Sequence, residues 1–159
     1  MDRYSRFRHP LLIILISLIG LSCYGQESTN TAVIHIKYGN IDKLQKLITP
    51  QLINACVVVE DSKQYNYLAL SIKLKSMKSL QFFIENGADI EHVCAGKTPL
   101  MFAAKYGQLE MVKYLVEKGA DINASHKGNK AIDYSRKYNH YNITRYLRKQ
   151  IKALNEQGE

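Results

Sequence analysis

His92 and Cys94 stand one residue apart, and His126 follows 32 residues after Cys94, so two imidazoles and a thiol are candidates to ligate a thiophilic cation. Zinc sites in sequence show paired ligands at short, repeated spacings, and no second pair of that kind accompanies these residues. No metal and no cofactor are therefore expected. Asp89 and Asp121 resemble an acid pair for proton transfer, yet both stand in the tripeptide Gly-Ala-Asp and are separated by 32 residues. An aspartate in such a turn accepts backbone N–H bonds, which makes both structural. With no glycine-rich phosphate loop and no nucleophile–base pair at motif spacing, the chain is not expected to be an enzyme.

A second chemistry recurs more often. Lys37-Tyr38-Gly39 returns as Lys105-Tyr106-Gly107 and, altered, as Lys137-Tyr138-Asn139, with Lys73-Leu74-Lys75 at the intervening place. Tyrosine beside a cation suits recognition, because the ring offers contact area and a polar tip. The recurrence belongs to an internal period. A shift of 32 residues superposes Gly87-Ala88-Asp89-Ile90 on Gly119-Ala120-Asp121-Ile122, Leu68 on Leu100 and Ile132, and Phe83 on Leu115 and Leu147.

The clearest copy reads GKTPLMFAAKYGQLEMVKYLVEKGADINA from Gly96. It closely resembles the ankyrin repeat, with a Gly-x-Thr-Pro-Leu opening, Ala-Ala, a Gly turn and a closing Gly-Ala-Asp-x-Asn. The residues account for the pattern on their own terms. Thr98 caps a first helix and Pro99 occupies its first position, where the missing N–H is not needed. Ala103 and Ala104 allow close packing, and Gly107 supplies a left-handed turn. A second helix over about Leu109–Lys118 carries Met111, Val112, Leu115 and Val116 on one face and ends at Gly119.

The other copies depart in readable ways. The preceding one has Asn66-Tyr67 for Thr-Pro and Lys75 for the turn glycine, a left-handed lysine that costs about 1 kcal/mol or more. The first copy lacks an opening finger, and 36 residues separate Gly39 from Lys75. The extra residues fall in Gln51–Asn66, where Cys56-Val57-Val58-Val59 reads as a short extended segment. The last copy uses Asn139 at the turn, and Thr144 and Arg148 replace Val112 and Val116, as a polar terminal cap requires. Its inward stripe is Ile143, Tyr146, Leu147, Ile151 and Leu154. The expected fold is an all-α, ankyrin-like solenoid of about four stacked helix-turn-helix repeats over residues 31–154, followed by a frayed tail, 155–159.

The resemblance implies a concave surface lined by the ends of the first helices and the finger loops. The candidate partner-binding residues are Lys37, Tyr38, Lys73, Lys105, Tyr106, Lys137 and Tyr138 from the helices, with Lys97, His126, Lys127 and Asn129 from the fingers. The lysines alone fit a solvated helix surface equally well; Tyr106 and Tyr138 point more to binding. The formal charge of +8 has five net positives in the segment from His126 onward, where eight Lys/Arg face three Asp/Glu. Such a patch suits an acidic protein surface or serves only to keep the cap soluble. No nucleic-acid motif accompanies it.

The beginning of the chain reads differently. Arg3, Arg6 and Arg8 precede an apolar run from Leu11 to Leu21 that is short of the roughly 20 residues needed to span a bilayer. This is the pattern of a secretory signal peptide over 1–25, followed by a short linker, 26–30. Removing three bases and one acid with that segment leaves a formal charge of +6. Alternatively, Gly20-Leu21-Ser22-Cys23 resembles a lipoprotein box, with lipidation at Cys23 as the only membrane attachment. Both outcomes export the protein, to a periplasmic or secreted location or to a lipid-anchored one. Cys56 and Cys94 then remain, as a disulfide or as two buried thiols. The function that follows is that of an exported, monomeric adaptor or scaffold, with no catalysis of its own, that recognises a protein through its groove. The competing reading is an inhibitor or immunity-type protein that blocks a toxin or hydrolase.

Overall fold

Each repeat opens where a side chain can satisfy the free N–H groups of a helix start. Thr98 Oγ1 accepts from Met101 N at 3.3 Å, with Pro99 in the first helical turn. Asn66 performs the same task in the preceding copy, its Oδ1 accepting from Ala69 N at 2.7 Å. In the last copy the roles reverse, and Asp133 Oδ2 accepts from Lys130 N at 2.9 Å. These starts produce a computed structural model that describes residues 30–59 and 63–157. The expected signal segment, Cys23 and the linker up to residue 29 lie outside the described residues.

Eight helices are described: α1 (30–38), α2 (Ile41–Leu47), α3 (Tyr67–Lys73), α4 (Met77–Glu85), α5 (Pro99–Lys105), α6 (Leu109–Glu117), α7 (Ala131–Lys137) and α8 (Tyr141–Gln157). Consecutive helices pack as pairs, α3 with α4, α5 with α6 and α7 with α8, and α1 and α2 precede them. The first helices α3, α5 and α7 pack side by side, while α2 meets α4 and α6 meets α8 on the outer side. Leu68, Leu80, Phe83, Leu100, Leu115 and Leu147 are fully buried between pairs, at the positions that the 32-residue period superposes. Ala103 and Ala104 are also fully buried, which lets α5 lie close to both of its neighbours. Ser79 adds a polar tie, donating from Oγ to the Ile36 carbonyl at 2.9 Å and so joining α4 to α1.

The turns between paired helices need left-handed backbone. Lys75 and Asn139 adopt it at φ 60° and 58°, as the sequence requires. Gly107, at φ 71°, has a second reason to lack a side chain. A β-carbon there would lie 2.7 Å from Cε1 of His140, whose Nε2 is 3.1 Å from the Lys105 carbonyl at the end of α5. The imidazole thus occupies the space and closes the helix end at once.

Two features differ from the expectation. The tail is not frayed from residue 155: α8 continues to Gln157, with Lys152 and Glu156 paired at 3.6 Å one turn apart. Leu154 is 48% exposed and does not join the inward stripe, whereas Ile143 and Leu147 are fully buried. The expected extended segment is the first half of a hairpin, β1 (Val57–Val59) and β2 (Lys63–Tyr65), antiparallel with Val57 opposite Tyr65 and Val59 opposite Lys63. Among the described residues no helix is long and apolar enough to cross a membrane.

Candidate partner-binding groove

The fingers are tight two-residue turns. Cys94 and Lys97 exchange backbone bonds of 3.2 and 3.1 Å, with Ala95 at φ 47° and Gly96 at φ 70°. His126 and Asn129 do the same at 3.0 Å in both directions, with Lys127 at φ 50° and Gly128 at φ 76°. Positive φ at both central positions is the hairpin turn that matches strand twist. The fingers stack: the His126 ring lies over Gly96, where a β-carbon would meet Cδ2 at 3.0 Å. His126 is therefore partly covered, and the Asn129 amide donates to the Lys127 carbonyl at 3.0 Å, so both hold finger geometry. Lys127 is exposed.

Asp89 and Asp121 are structural, as read from their turns. Asp89 Oδ1 accepts from Glu91 N and Asp121 Oδ1 from Asn123 N, each at 2.8 Å. The next repeat is tied on from here: Glu91 Oε1 accepts from Asp121 N at 2.8 Å, and Asn54 Oδ1 accepts from Asp89 N at 2.9 Å. Burial raises the Glu91 carboxyl above its ordinary range, with the bond from Asp121 N opposing that shift.

The helix-end lysines and rings make contacts across repeats. Lys105 Nζ lies 5.3 Å from the centroid of Tyr106 and 5.7 Å from that of Tyr138, which joins the third and fourth rungs. Lys37 Nζ stands 5.4 Å from the ring of Tyr38, and Tyr38 is 66% exposed. Lys137 and Tyr138 are exposed at the end of α7. Lys97 reaches from its finger to within 5.6 Å of the Phe102 centroid and 5.8 Å of Tyr134. Partial burial lowers the Lys97 pKa, and the nearby charges of Lys105, Lys127 and Lys137 lower it further. Four lysines thus concentrate positive potential at one end of the groove.

Tyr106 behaves differently from the exposed residue its position suggested. It stacks on Phe102, with centroids 6.2 Å apart and 7° between the planes, and its hydroxyl meets the Tyr65 hydroxyl at 2.9 Å. Burial first, and the bond to Tyr65 next, raise its pKa well above the ordinary phenol range. Tyr65 is the residue the period could not reveal, because it arrives on the inserted strand β2. It is buried, packs on Phe102 at 5.4 Å, and places its ring 4.9 Å from Lys73 Nζ. Tyr134 was also outside the expected set; it sits on the inner face of α7, four residues before Tyr138. Lys63, Lys97 and Lys105, with the rings of Tyr65 and Phe102, line an open depression of about 380 Å³ that has no carboxylate among the described residues of its lining.

The cysteine question is decided by the hairpin. Cys56 and Cys94 form a disulfide with α-carbons 6.0 Å apart, which fastens the root of β1 to the first finger. The two thiols are thus not independent buried groups; Cys56 is exposed and Cys94 is buried. His92 also lies here, its Nε2 3.6 Å from Cys56 Sγ. The structure therefore brings Cys56, not His126, to the His92–Cys94 pair.

A search of curated proteins returns no match to this sequence. A family model described as ankyrin repeats in three copies matches residues 72–157, which begin near the end of α3 and include α4 to α8. With that match covering more than half of the chain, and with paired helices, stacked fingers and Gly-Ala-Asp turns at one period, the chain belongs to the ankyrin-repeat family.

Proposed function

We propose that this chain is an exported protein-binding module, without catalysis of its own, that holds an acidic segment of its partner in the groove between the fingers and the first helices. Ankyrin-repeat domains mediate protein–protein interactions, and stacked repeats offer an extended surface for the purpose. The observation that carries the finer reading is Lys97. Its ammonium is drawn over two aromatic rings in the company of Lys105, Lys127 and Lys137, and its pKa is lowered there. A carboxylate laid in the groove would relieve that repulsion, while Phe102, Tyr134 and Tyr138 supply contact area. Export rests on the basic and apolar run before residue 25.

The test is affinity capture by the chain from residue 26 against envelope and secreted extract, beside a variant with Lys97→Glu, Lys105→Glu and Lys137→Glu. The expected result is a protein held by the first, lost by the second, and released as salt is raised. These side chains are partly or fully exposed, so the variant should unfold at nearly the wild-type temperature. Equal capture by both proteins would refute the groove as the binding face. The identity of a captured protein then separates an adaptor from an inhibitor of a toxin or hydrolase.

A further inference from the structure

We propose that Cys56, His92 and Cys94 form a redox-gated Zn²⁺ site, closed to metal as the disulfide and open to it as the dithiol. The three donor atoms lie within 4.8 Å of one another, contributed by the root of β1 and by the loop leading into the first finger. Their chemistry, two thiolates and an imidazole, suits a borderline-soft divalent cation.

One donor separation in the disulfide form already has the length that a zinc site needs. Zn–S bonds of about 2.3 Å and Zn–N bonds of about 2.0–2.1 Å at a tetrahedral angle place S and N about 3.6 Å apart. Cys56 Sγ and His92 Nε2 are 3.6 Å apart. The same bond lengths set the two sulfurs about 3.8 Å apart, a separation that rotation of the exposed Cys56 side chain supplies once the disulfide opens. Cys94 is held by its finger and is 1% exposed.

The second nitrogen of His92 faces a carboxylate. Its Nδ1 lies 4.0 Å from Asp89 Oδ2, and His92 N donates to the Asp89 carbonyl at 3.2 Å, which ties the two residues into one turn. A small rotation of either side chain would bring the Nδ1–H to that carboxylate, the contact that orients a metal-bound imidazole and strengthens it as a ligand. Three protein ligands leave a fourth position for water or for a group from a partner.

Opening the site needs a dithiol reductant. Its thiolate attacks the accessible Cys56 sulfur, Cys94 leaves as thiolate, and the reductant's second thiol displaces Cys56 as the reductant closes to its own disulfide. Two electrons and two protons pass to the protein, and metal binding then releases the two thiol protons to solvent.

The experiment uses the full chain carrying Cys23→Ser, so that Cys56 and Cys94 are the only thiols. After reduction and removal of the reductant without air, Co²⁺ is titrated in and then displaced by Zn²⁺. The expected result is one Co²⁺ per chain, with tetrahedral visible bands and a sulfur-to-cobalt charge-transfer band that Zn²⁺ abolishes. The oxidised chain should show none of these. Cys56→Ser and His92→Ala should each lower the affinity by 10-fold or more, and Asp89→Asn by about 10-fold. Circular dichroism recorded before metal is added checks that the reduced stack is folded. An unfolded reduced chain, absent sulfur-to-cobalt bands, or equal binding by the oxidised chain or by Cys56→Ser would each overturn the proposal.

Discussion

Breaking the Cys56–Cys94 bond should cost more stability than any single surface change in this chain. The bridge closes a loop across a sequence separation of 38. Chain entropy for a loop of that size corresponds to about 4 kcal/mol at 25 °C. With a urea dependence of about 2 kcal/mol per molar, the midpoint of unfolding should fall by about 2 M on reduction. The assay is urea unfolding followed by circular dichroism, oxidised against reduced, with a chelator in both samples and Cys23→Ser as background. Cys56→Ser should reproduce the reduced curve, because Cys56 is exposed and its replacement alone removes little packing. Cys94→Ser is the poorer probe, since a hydroxyl would be introduced at a buried position. Coincident oxidised and reduced curves would refute the reasoning, and would mean that the hairpin contributes no constraint to the folded stack.

Three further outcomes follow from side chains already placed. Gly107→Ala should destabilise by about 1–2 kcal/mol through its left-handed backbone alone, with a further loss as His140 is pushed from the end of α5, read as a lowered midpoint in thermal unfolding. Lys75→Gly should act oppositely, gaining up to about 1 kcal/mol by relieving the same strain at φ 60°. For Tyr106, the raised folded pKa means that its stabilisation is complete below the unfolded phenol value of about 10 and is lost as pH rises from there toward the folded value. Tyr106→Phe should therefore be less stable than wild type by about 1 kcal/mol at pH 8, and a urea series at increasing pH should show the difference shrinking above about pH 10.

The repeat core was legible because one packing solution is written several times. Leu68, Leu100 and Ile132, or Phe83, Leu115 and Leu147, are superposed by a single period and buried together. Caps were legible for a related reason: Thr98-Pro99 names a helix start, and Asn66 can replace Thr98 because its oxygen accepts the same N–H. What escaped the period is what lies outside it. The inserted residues between Gln51 and Asn66 have no counterpart in the other copies, so neither the partner of Val57 nor the destination of Tyr65 could be inferred from a neighbour. The same gap left the Cys56–Cys94 disulfide as one of two readings, because the choice depends on where the hairpin root comes to rest.

That insertion also changes what the Lys-Tyr rungs can do. A regular stack would present four equivalent rungs, yet Tyr65 takes up the hydroxyl of Tyr106 and places its own ring against Lys73. The lysine of the second rung and the tyrosine of the third are thereby engaged within the molecule. Lys97, Lys105, Lys137 and Tyr138 remain as a cluster around the third and fourth repeats, where Lys105 already spans two tyrosines. The hairpin acts as a wall at one side of this cluster, contributing Lys63 and the Tyr65 ring to the depression beside Lys97. The root of that wall is bonded to the first finger through Cys56 and Cys94, so the disulfide ties the wall to the repeat whose finger carries Lys97. A partner selected by this surface would meet a short, charged, aromatic-floored recess, and its affinity would depend on the hairpin as well as on the repeats that the period reveals.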